Sequence, residues 1–411
     1  MSHTTRREFI VQTAGALGAV AFMPSLIAKG AQIDGRLDVA VIGAGRQGRS
    51  ILGELQKFAG VRVVGICDNN PGRLNSGLRR VQGAEGFADH RAMLDKLSGC
   101  KAIVIATPTH LHREIAIDCL GAGRHVYCEA PLAHTVEDCR AIVIAARRAS
   151  GLVFQSGLEG RSNPIYQLAR TFFRSDAVRE PVSLEAQDYR KTSWRFPSPD
   201  PRFDREINWR LDPEVSLGLA GEMGVHQFDV MMWYLDAIPE SVIGAGSIRV
   251  YDDGRAVADT IDCALRFPRG LGMRYGASLG NSHGGRYELL RGTNAAIKLA
   301  WTAGWMFKEA DAPTQGWEVY ANRQQFHNEE GITLIADATQ LASQGKLQEG
   351  VGLPNPPLYY ALGDFIASVA EGKPAICDAE AGARATIVAI HAAKSVTGED
   401  IVRIDPSLFQ F

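Results

Sequence analysis

Two groups of residues in this chain carry chemistry by their types and spacing. The first is Gly43-Ala44-Gly45-Arg46-Gln47-Gly48, a G-x-G-x-x-G run between the apolar stretch Leu37 to Ile42 and a helix-like segment, Arg49 to Lys57. A second apolar stretch, Arg62 to Cys67, ends in Asp68, twenty residues past the last glycine. In this strand–turn–helix–strand order Gly43 makes the tight turn, Gly45 lets the backbone approach a pyrophosphate and Gly48 allows close helix–strand packing. Arg46 and Gln47 then open a helix whose unpaired N–H groups and positive dipole end suit phosphate. Asp68 suits the two free ribose hydroxyls of NAD and repels the 2′-phosphate of NADP, a preference that nearby Arg73 softens. NAD is the expected cofactor, NADP the less favoured one.

The second group is Glu222 and His226, four apart at the start of a helix-like segment and so on one helical face. The dipole there favours the carboxylate and lowers the basicity of the imidazole. A neutral imidazole beside a carboxylate can take a proton from a hydroxyl while hydride leaves the same carbon. Asp229, three residues on, is suited to orient the histidine. Taken alone, a single helical histidine is more often structural.

The elements that must position these groups follow from periodicity. Leu37 to Ser156 alternates short apolar runs with helical segments, the rhythm of a doubly wound parallel sheet. Thr107 and Pro108 fall at the carboxyl end of a strand in that sheet, where ligands sit, and Thr109 through His112 open the next helix. After Gly157 the pattern changes to period two, as in Val182, Leu184 and Ala186 or Ile261, Cys263, Leu265 and Phe267. Helical segments are expected at Met223 to Leu235, Leu358 to Glu371 and Ala379 to Val396. The expected fold is therefore α/β: a Rossmann domain over 36–156, then an α/β domain over 157–411 with a large, mostly antiparallel open sheet. The C-terminal helices are expected to pack back on the first domain.

Composition narrows the function classes. The 44 basic and 46 acidic residues give a net charge of −2, so no global field attracts nucleic acid or anionic lipid. Seven cysteines lack metal-ligand or disulfide-framework spacing and read as buried free thiols; no metal is expected. Residues 1–35 read as a targeting segment. Thr5-Arg6-Arg7-Glu8-Phe9-Ile10 and the small-residue run Val11 to Ala21 resemble a twin-arginine signal, and the run is too short for a convincing membrane span. The expectation is engagement of that export machinery, a periplasmic or exported location, and a cofactor that stays bound and regains its redox state each turnover.

Three motifs in order resemble the Gfo/Idh/MocA family of glucose–fructose oxidoreductase and inositol dehydrogenase relatives. They are the glycine fingerprint, Ala106-Thr107-Pro108-Thr109-His110-Leu111-His112 with Gly123 to Ala133, and Gly221-Glu222-Met223-Gly224-Val225-His226-Gln227-Phe228-Asp229. The resemblance implies a Rossmann domain before an α/β domain whose open sheet forms homodimers or homotetramers, and action mainly on sugars and polyols. It also implies that Thr109, His110, His112 and Glu129 touch the cofactor. Family members usually have aspartate where Glu222 stands. Their Glu-Lys-Pro is here Glu129-Ala130-Pro131, and the lysine commonly sits between nicotinamide and substrate. Either His226 works alone, Lys191 or Tyr189 enters the site, or dehydrogenase activity is weakened.

A candidate substrate wall contains Arg161, Tyr166, Trp194, Arg195, Trp209 and Arg210; aromatic core packing is the competing account of Trp209. The leading expectation is an NAD-dependent oxidoreductase acting on a hydroxyl of a small carbohydrate, polyol or glycoside, with His226 as proton acceptor. A redox-neutral NAD-dependent glycosidase or epimerase comes next, then a non-catalytic dinucleotide or sugar binder.

Overall fold

The computed structural model describes residues 36–411 except 176, 316, 317, 319, 320, 328 and 336–351. The targeting segment expected over 1–35 lies outside the described residues.

Six short strands build the first sheet: β1 (Leu37–Ile42), β2 (Val61–Cys67), β3 (Glu85–Phe87), β4 (Ala102–Ile105), β5 (His125–Cys128) and β6 (Phe154–Ser156). They run parallel in the order β3-β2-β1-β4-β5-β6. The connecting helices are α1 (Arg46–Leu55), α2 (Pro71–Leu78), α3 (His90–Lys96), α4 (His112–Gly121) and α5 (Val136–Arg148). Val39, Ala40 and Val41 are fully buried, because helices cover both faces of the sheet; hence the unbroken apolar run in β1. Strand order reverses between β1 and β4, so a crevice opens at their carboxyl ends. Two elements here escaped the periodicity. β3 is only Glu-Gly-Phe, and α2 carries few apolar residues but has Pro71 in its first turn and an Asn70 side chain capping Arg73 N–H at 3.1 Å.

Helix α6 (Pro164–Arg174) was also missed, although Asn163 caps it by accepting from Ile165 and Tyr166 N–H. Ten strands then form one sheet: β7 (Pro181–Tyr189), β8 (Ser241–Ser247), β9 (Thr260–Arg266), β10 (Gly272–Ser278), β11 (Arg286–Gly292), β12 (Ala295–Leu299), β13 (Gly304–Lys308), β14 (Arg323–Gln325), β15 (Glu330–Thr333) and β16 (Val402–Arg403). Their order is β14-β15-β13-β12-β11-β7-β10-β9-β8-β16. The β7–β10 pair is parallel and the other pairs are antiparallel. A short helix, α7 (Asp204–Ile207), lies in the excursion between β7 and β8. Helices α8 (Gly218–Glu222), α9 (Gly224–Leu235) and the last helix of the chain cover one sheet face.

The two final helices, α10 (Pro357–Glu371) and α11 (Ala379–Gly398), join the halves. Leu358, Leu362 and Phe365 of α10 enter the same apolar cluster as Val39, Val41 and Leu55, and Phe58 stacks on Tyr359 at 4.5 Å. On α11, Thr386 Oγ1 accepts from Leu132 N–H at 2.8 Å and Ser395 Oγ accepts from Gly244 N–H at 2.9 Å, one bond to each domain. All seven cysteines are free and buried. Burial pushes the Cys67 thiol up to about 12, which leaves it unreactive.

Candidate active site

The glycine loop closes the crevice between β1 and β4. Gly43 has φ +96°, and a Cβ there would lie 2.5 Å from Ala106 O; at Gly48 it would lie 1.8 Å from Gly43 O. Only glycine fits at either position. Gly45 differs, because a Cβ there would meet nothing within 4 Å. Gly45 also starts α1 without a side-chain cap, and the first turn holds no acid, so the leading N–H groups stand open to an anion.

Asp68, at the end of β2, is buried. Its Oδ2 accepts from Ala44 N–H at 2.7 Å and its Oδ1 from Asn70 N–H at 2.9 Å. The carboxylate thus ties the loop to β2, and each oxygen keeps a second acceptor site for a ribose hydroxyl. Burial pushes its pKa up and the two backbone N–H groups pull it back. Beside it, Arg49, Arg73, Arg79 and Arg80 line a cavity of ≈ 570 Å³. Arg46 reaches across to the second domain, its Cζ 5.2 Å from the Phe196 ring. This cradle fits a dinucleotide.

The next strand ends add polar groups. Thr107 Oγ1 and His110 Nδ1 are buried without a partner, as a site awaiting a ligand requires. Pro108 N-caps the short turn Thr109–Leu111. Gln47 Nε2 donates to Glu129 Oε1 at 3.0 Å, linking α1 to the end of β5.

Glu222 and His226 come from two helices, not one: α8 ends at Glu222 and α9 begins at Gly224. Thr109 Oγ1 donates to Glu222 Oε2 at 3.1 Å, so the second domain's acid is held against the first domain. Burial pushes the Glu222 carboxyl up to about 7, with Arg210 and the Thr109 bond opposing. His226 is held well below its ordinary value by burial, then by Arg286 and Arg190, so its imidazole is neutral. Its Nδ1 has no partner, and its ring meets Trp301 edge-on at 6.1 Å.

Arginines stacked on tryptophans surround this pair. Arg210 lies 4.5 Å from the Trp209 ring and 5.8 Å from that of Trp194, while Arg286 lies 3.3 Å from that of Trp301. Trp194 and Trp301 both have φ +62°, a left-handed backbone that costs about 1–3 kcal/mol per residue and that functional sites tolerate. Arg190 is clamped by Asp188 through two bonds of 2.7 and 2.6 Å. The sequence reading missed Glu159, Arg190, Arg286 and Trp301. They lie on separate segments with no shared motif, although Glu159 lies three residues past the end of β6 in the parallel sheet, an edge where ligands sit.

Residues 37–157 match the oxidoreductase family with an NAD-binding Rossmann fold, and residues 168–298 match the Gfo/Idh/MocA C-terminal domain. The chain belongs to the Gfo/Idh/MocA family. Its first domain is an NAD-binding Rossmann domain. Inositol 2-dehydrogenase 1 of Saccharopolyspora erythraea is 27% identical over 233 residues, 55% of this chain and 62% of that protein. Levoglucosan dehydrogenase of Pseudarthrobacter phenanthrenivorans is 30% identical over 166 residues, 40% of each chain. The chain thus spans about half the length of the curated relatives it matches. A solved levoglucosan dehydrogenase, in complex with NADH and levoglucosan, superposes with TM-score 0.70 at 22% identity, over 90% of this chain and 99% of that one, and so shares the fold.

Several residues expected in the site of this Gfo/Idh/MocA chain are engaged elsewhere. His112 is buried, with its ring nitrogens 3.0 Å from Thr107 O and Pro131 O; it braces two cofactor-side loops and presents nothing to a ligand. Arg161 and Asp229 engage each other in a buried ion pair, with contacts of 2.7, 3.0 and 3.1 Å, and no bond joins Asp229 to His226 among the described residues. Tyr166 is wholly buried; its hydroxyl donates to Glu288 and accepts from Trp301 N–H at 3.2 Å. Arg195 pairs with Asp253 at 2.8 Å on the surface. Tyr189 points to the open sheet face beside Gly276 and Glu185, because odd positions of β7 face away from the helices and so away from His226. Lys191 is exposed, and among the described residues no bond ties it to the site. Ala130 is half-buried next to Glu129 and brings no titratable group. Trp194, Trp209 and Arg210 do come together, as the stacked set described above.

Proposed function

We propose that this protein oxidises a secondary hydroxyl of a sugar, polyol or glycoside, with NAD in the glycine cradle. The observation that carries the reading is the juxtaposition of a neutral, buried His226 with Glu222, which Thr109 pins to the cofactor-binding domain. Bound NAD supplies the hydride acceptor. The chain supplies everything else. Arg46, Gln47 and the open N–H groups of α1 take the phosphates, and Asp68 takes the ribose. His226 removes the hydroxyl proton. Trp209 and Trp301 offer aromatic faces to the C–H faces of a ring, and Arg210 offers donors to its hydroxyls. The families of inositol and levoglucosan dehydrogenases support a carbohydrate-like substrate.

A second reading is redox-neutral: oxidation, elimination or inversion, then reduction, with the nicotinamide returned to its starting state. Ala130 in the family's lysine position and the Arg6-Arg7 leader, an export signal in this proposal, favour it. Export would place the enzyme where free NAD is scarce. We further propose that the open sheet face, with Tyr189, Ile243 and Tyr287 around a cavity of ≈ 650 Å³, packs against a second copy.

The test is incubation of purified protein and NAD with a panel of sugars, polyols and glycosides. Net growth of reduced nicotinamide supports the first reading. Product release without it supports the second. NADH binding with neither outcome leaves a dinucleotide binder. Light scattering reads the oligomeric state.

A further inference from the structure

We propose that residues 196–208 of the second domain form a clasp over the adenosine half of the dinucleotide, completing a binding site that the first domain leaves half-built. The inference rests on reading the glycine loop as the NAD cradle, with the ribose on Asp68.

The segment closes on itself. Asn208 is buried, and its side chain takes both backbone groups of Phe196: Oδ1 accepts from Phe196 N–H at 2.8 Å and Nδ2 donates to Phe196 O at 3.0 Å. The chain therefore leaves and rejoins the second domain at one neck, as a compact surface loop does. Inside the loop, Asp200 caps the turn Pro201–Phe203 by accepting from Arg202 N–H at 3.0 Å, and α7 follows directly. Its own bonds set its shape, and its outward contacts decide where it points.

It points at the cofactor-binding domain. Asn69 Nδ2 donates to Glu206 Oε2 at 2.9 Å, across 137 residues of chain. Asn69 directly follows Asp68, and Glu206 is among the charged neighbours of the Asp68 carboxyl. At the neck, the guanidinium of Arg46, which opens α1, lies 5.2 Å from the Phe196 ring. The loop thus meets the first domain both at the end of β2 and at the start of α1, the two elements that hold the nucleotide.

The cavity of ≈ 570 Å³ beside Asp68 takes its walls from both domains. The first domain contributes polar side chains and a glycine, with Arg49, Asn70, Arg73 and Ser76 among them. The apolar lining, Pro199 and Ile207, comes from the loop. A purine calls for apolar cover over its rings together with donors or cations at its edge and opposite face. Neither domain offers both. Phe196 and Pro199 stay exposed and Ile207 is half-buried. Domain packing for its own sake would bury these groups, whereas a base seated against the loop covers them.

Release of the nucleotide past this loop requires the Asn69–Glu206 bond to break. Dissociation is accordingly slow, as a cofactor kept from one turnover to the next requires. The neck also runs straight into Trp209 and Arg210, and the Trp209 ring meets that of His110 at 6.1 Å. Seating the adenosine half therefore steadies the aromatic wall beside the catalytic pair.

The test measures binding to full-length protein stripped of nucleotide. The probes are NADH, ADP-ribose, which has the adenosine half, and reduced nicotinamide mononucleotide, which lacks it. Ile207→Ala and Phe196→Ala should each weaken NADH and ADP-ribose by a similar factor, about 5-fold or more, from the apolar cover lost. Affinity for reduced nicotinamide mononucleotide should stay within about 2-fold. In stopped-flow displacement, Glu206→Ala should release NADH faster than Glu206→Gln, which drops the charge but keeps an acceptor for Asn69. In the wild-type protein, ADP-ribose should slow amide hydrogen exchange across 196–208, a readout that needs no variant to fold. Wild-type affinity for ADP-ribose in both alanine variants, an equal loss for both halves of the cofactor, or exchange in 196–208 unchanged by ADP-ribose overturns the inference and leaves the NAD cradle standing. A wild-type protein that binds neither NADH nor ADP-ribose removes the cradle, and this inference with it.

Discussion

Thr109 Oγ1 donates to Glu222 Oε2 at 3.1 Å, across 113 residues of chain and across the boundary between the two sheets. Thr109 sits at the carboxyl edge of the parallel sheet, and Glu222 ends a helix that covers the antiparallel one. The bond therefore sets the distance between the nucleotide cradle and His226, which follows four residues later.

Glu222 makes stability fall as pH rises. Its folded pKa, about 7, lies above the ordinary 4.5, so between those values the folded protein holds a proton that the unfolded chain has released. Stability from this group is complete below about 4.5 and is lost by about 7 or above. Glu222→Gln should melt later than wild type at pH 8, by a stability difference of about 1–3 kcal/mol, and should match it at acid pH. Calorimetry at the two pH values reads the difference. Equal gains at both would show that the carboxyl is not protonated on folding. The same variant should lose activity.

Asp68 holds both the glycine loop and, in the proposed complex, the ribose. Asp68→Ser should weaken NADH binding about 10-fold or more, the loss of one to two charge-assisted hydrogen bonds. It should weaken NADPH binding much less, because Arg49, Arg73, Arg79 and Arg80 already crowd this edge with positive charge. Fluorescence titration with each nucleotide measures the ratio, and an unchanged ratio would place the ribose elsewhere.

The Arg161–Asp229 pair is structural. Arg161→Met leaves a buried carboxylate uncompensated and should cost about 3–5 kcal/mol. Arg161→Met combined with Asp229→Leu should recover most of it, since a buried ion pair and a well-packed apolar pair are of comparable worth. Denaturant unfolding tests this. NADH affinity per folded molecule should be the same in all three proteins, and a specific loss of binding in the single variant would return Arg161 to the ligand site.

Ala130→Lys restores a cation beside Glu129. It should raise net nicotinamide reduction with a substrate alcohol by about 10-fold or more, within the range of a positioned proton-transfer group. It should also lower the pH at which the Glu129 carboxyl ionises. An unchanged rate, product and pH profile would put Ala130 outside the catalytic centre.

The sequence alone was enough for the parallel sheet, its strand ends, the glycine turn and the approximate limits of most helices. These are local properties: an apolar run buried on both faces, a backbone with no room for a Cβ at Gly43 and Gly48, a period of two in β9. It failed for α2, where an Asn cap and a Pro in the first turn carried more information than the weak apolar stripe, and for α6, which has the same cap and Pro beside a clear apolar face. The tertiary structure alone decided which polar residues face the cleft. Arg161, Tyr166 and Asp229 have the chemistry of a substrate wall but are consumed by one another and by Glu288 in the interior. Glu159, Arg190, Arg286 and Trp301 come from segments as much as 142 residues apart and meet only when the helices of the second domain close on the strand ends of the first. Residue type states what a side chain can do. Partners contributed by distant segments, and the water that packing removes, decide whether it is free to do it.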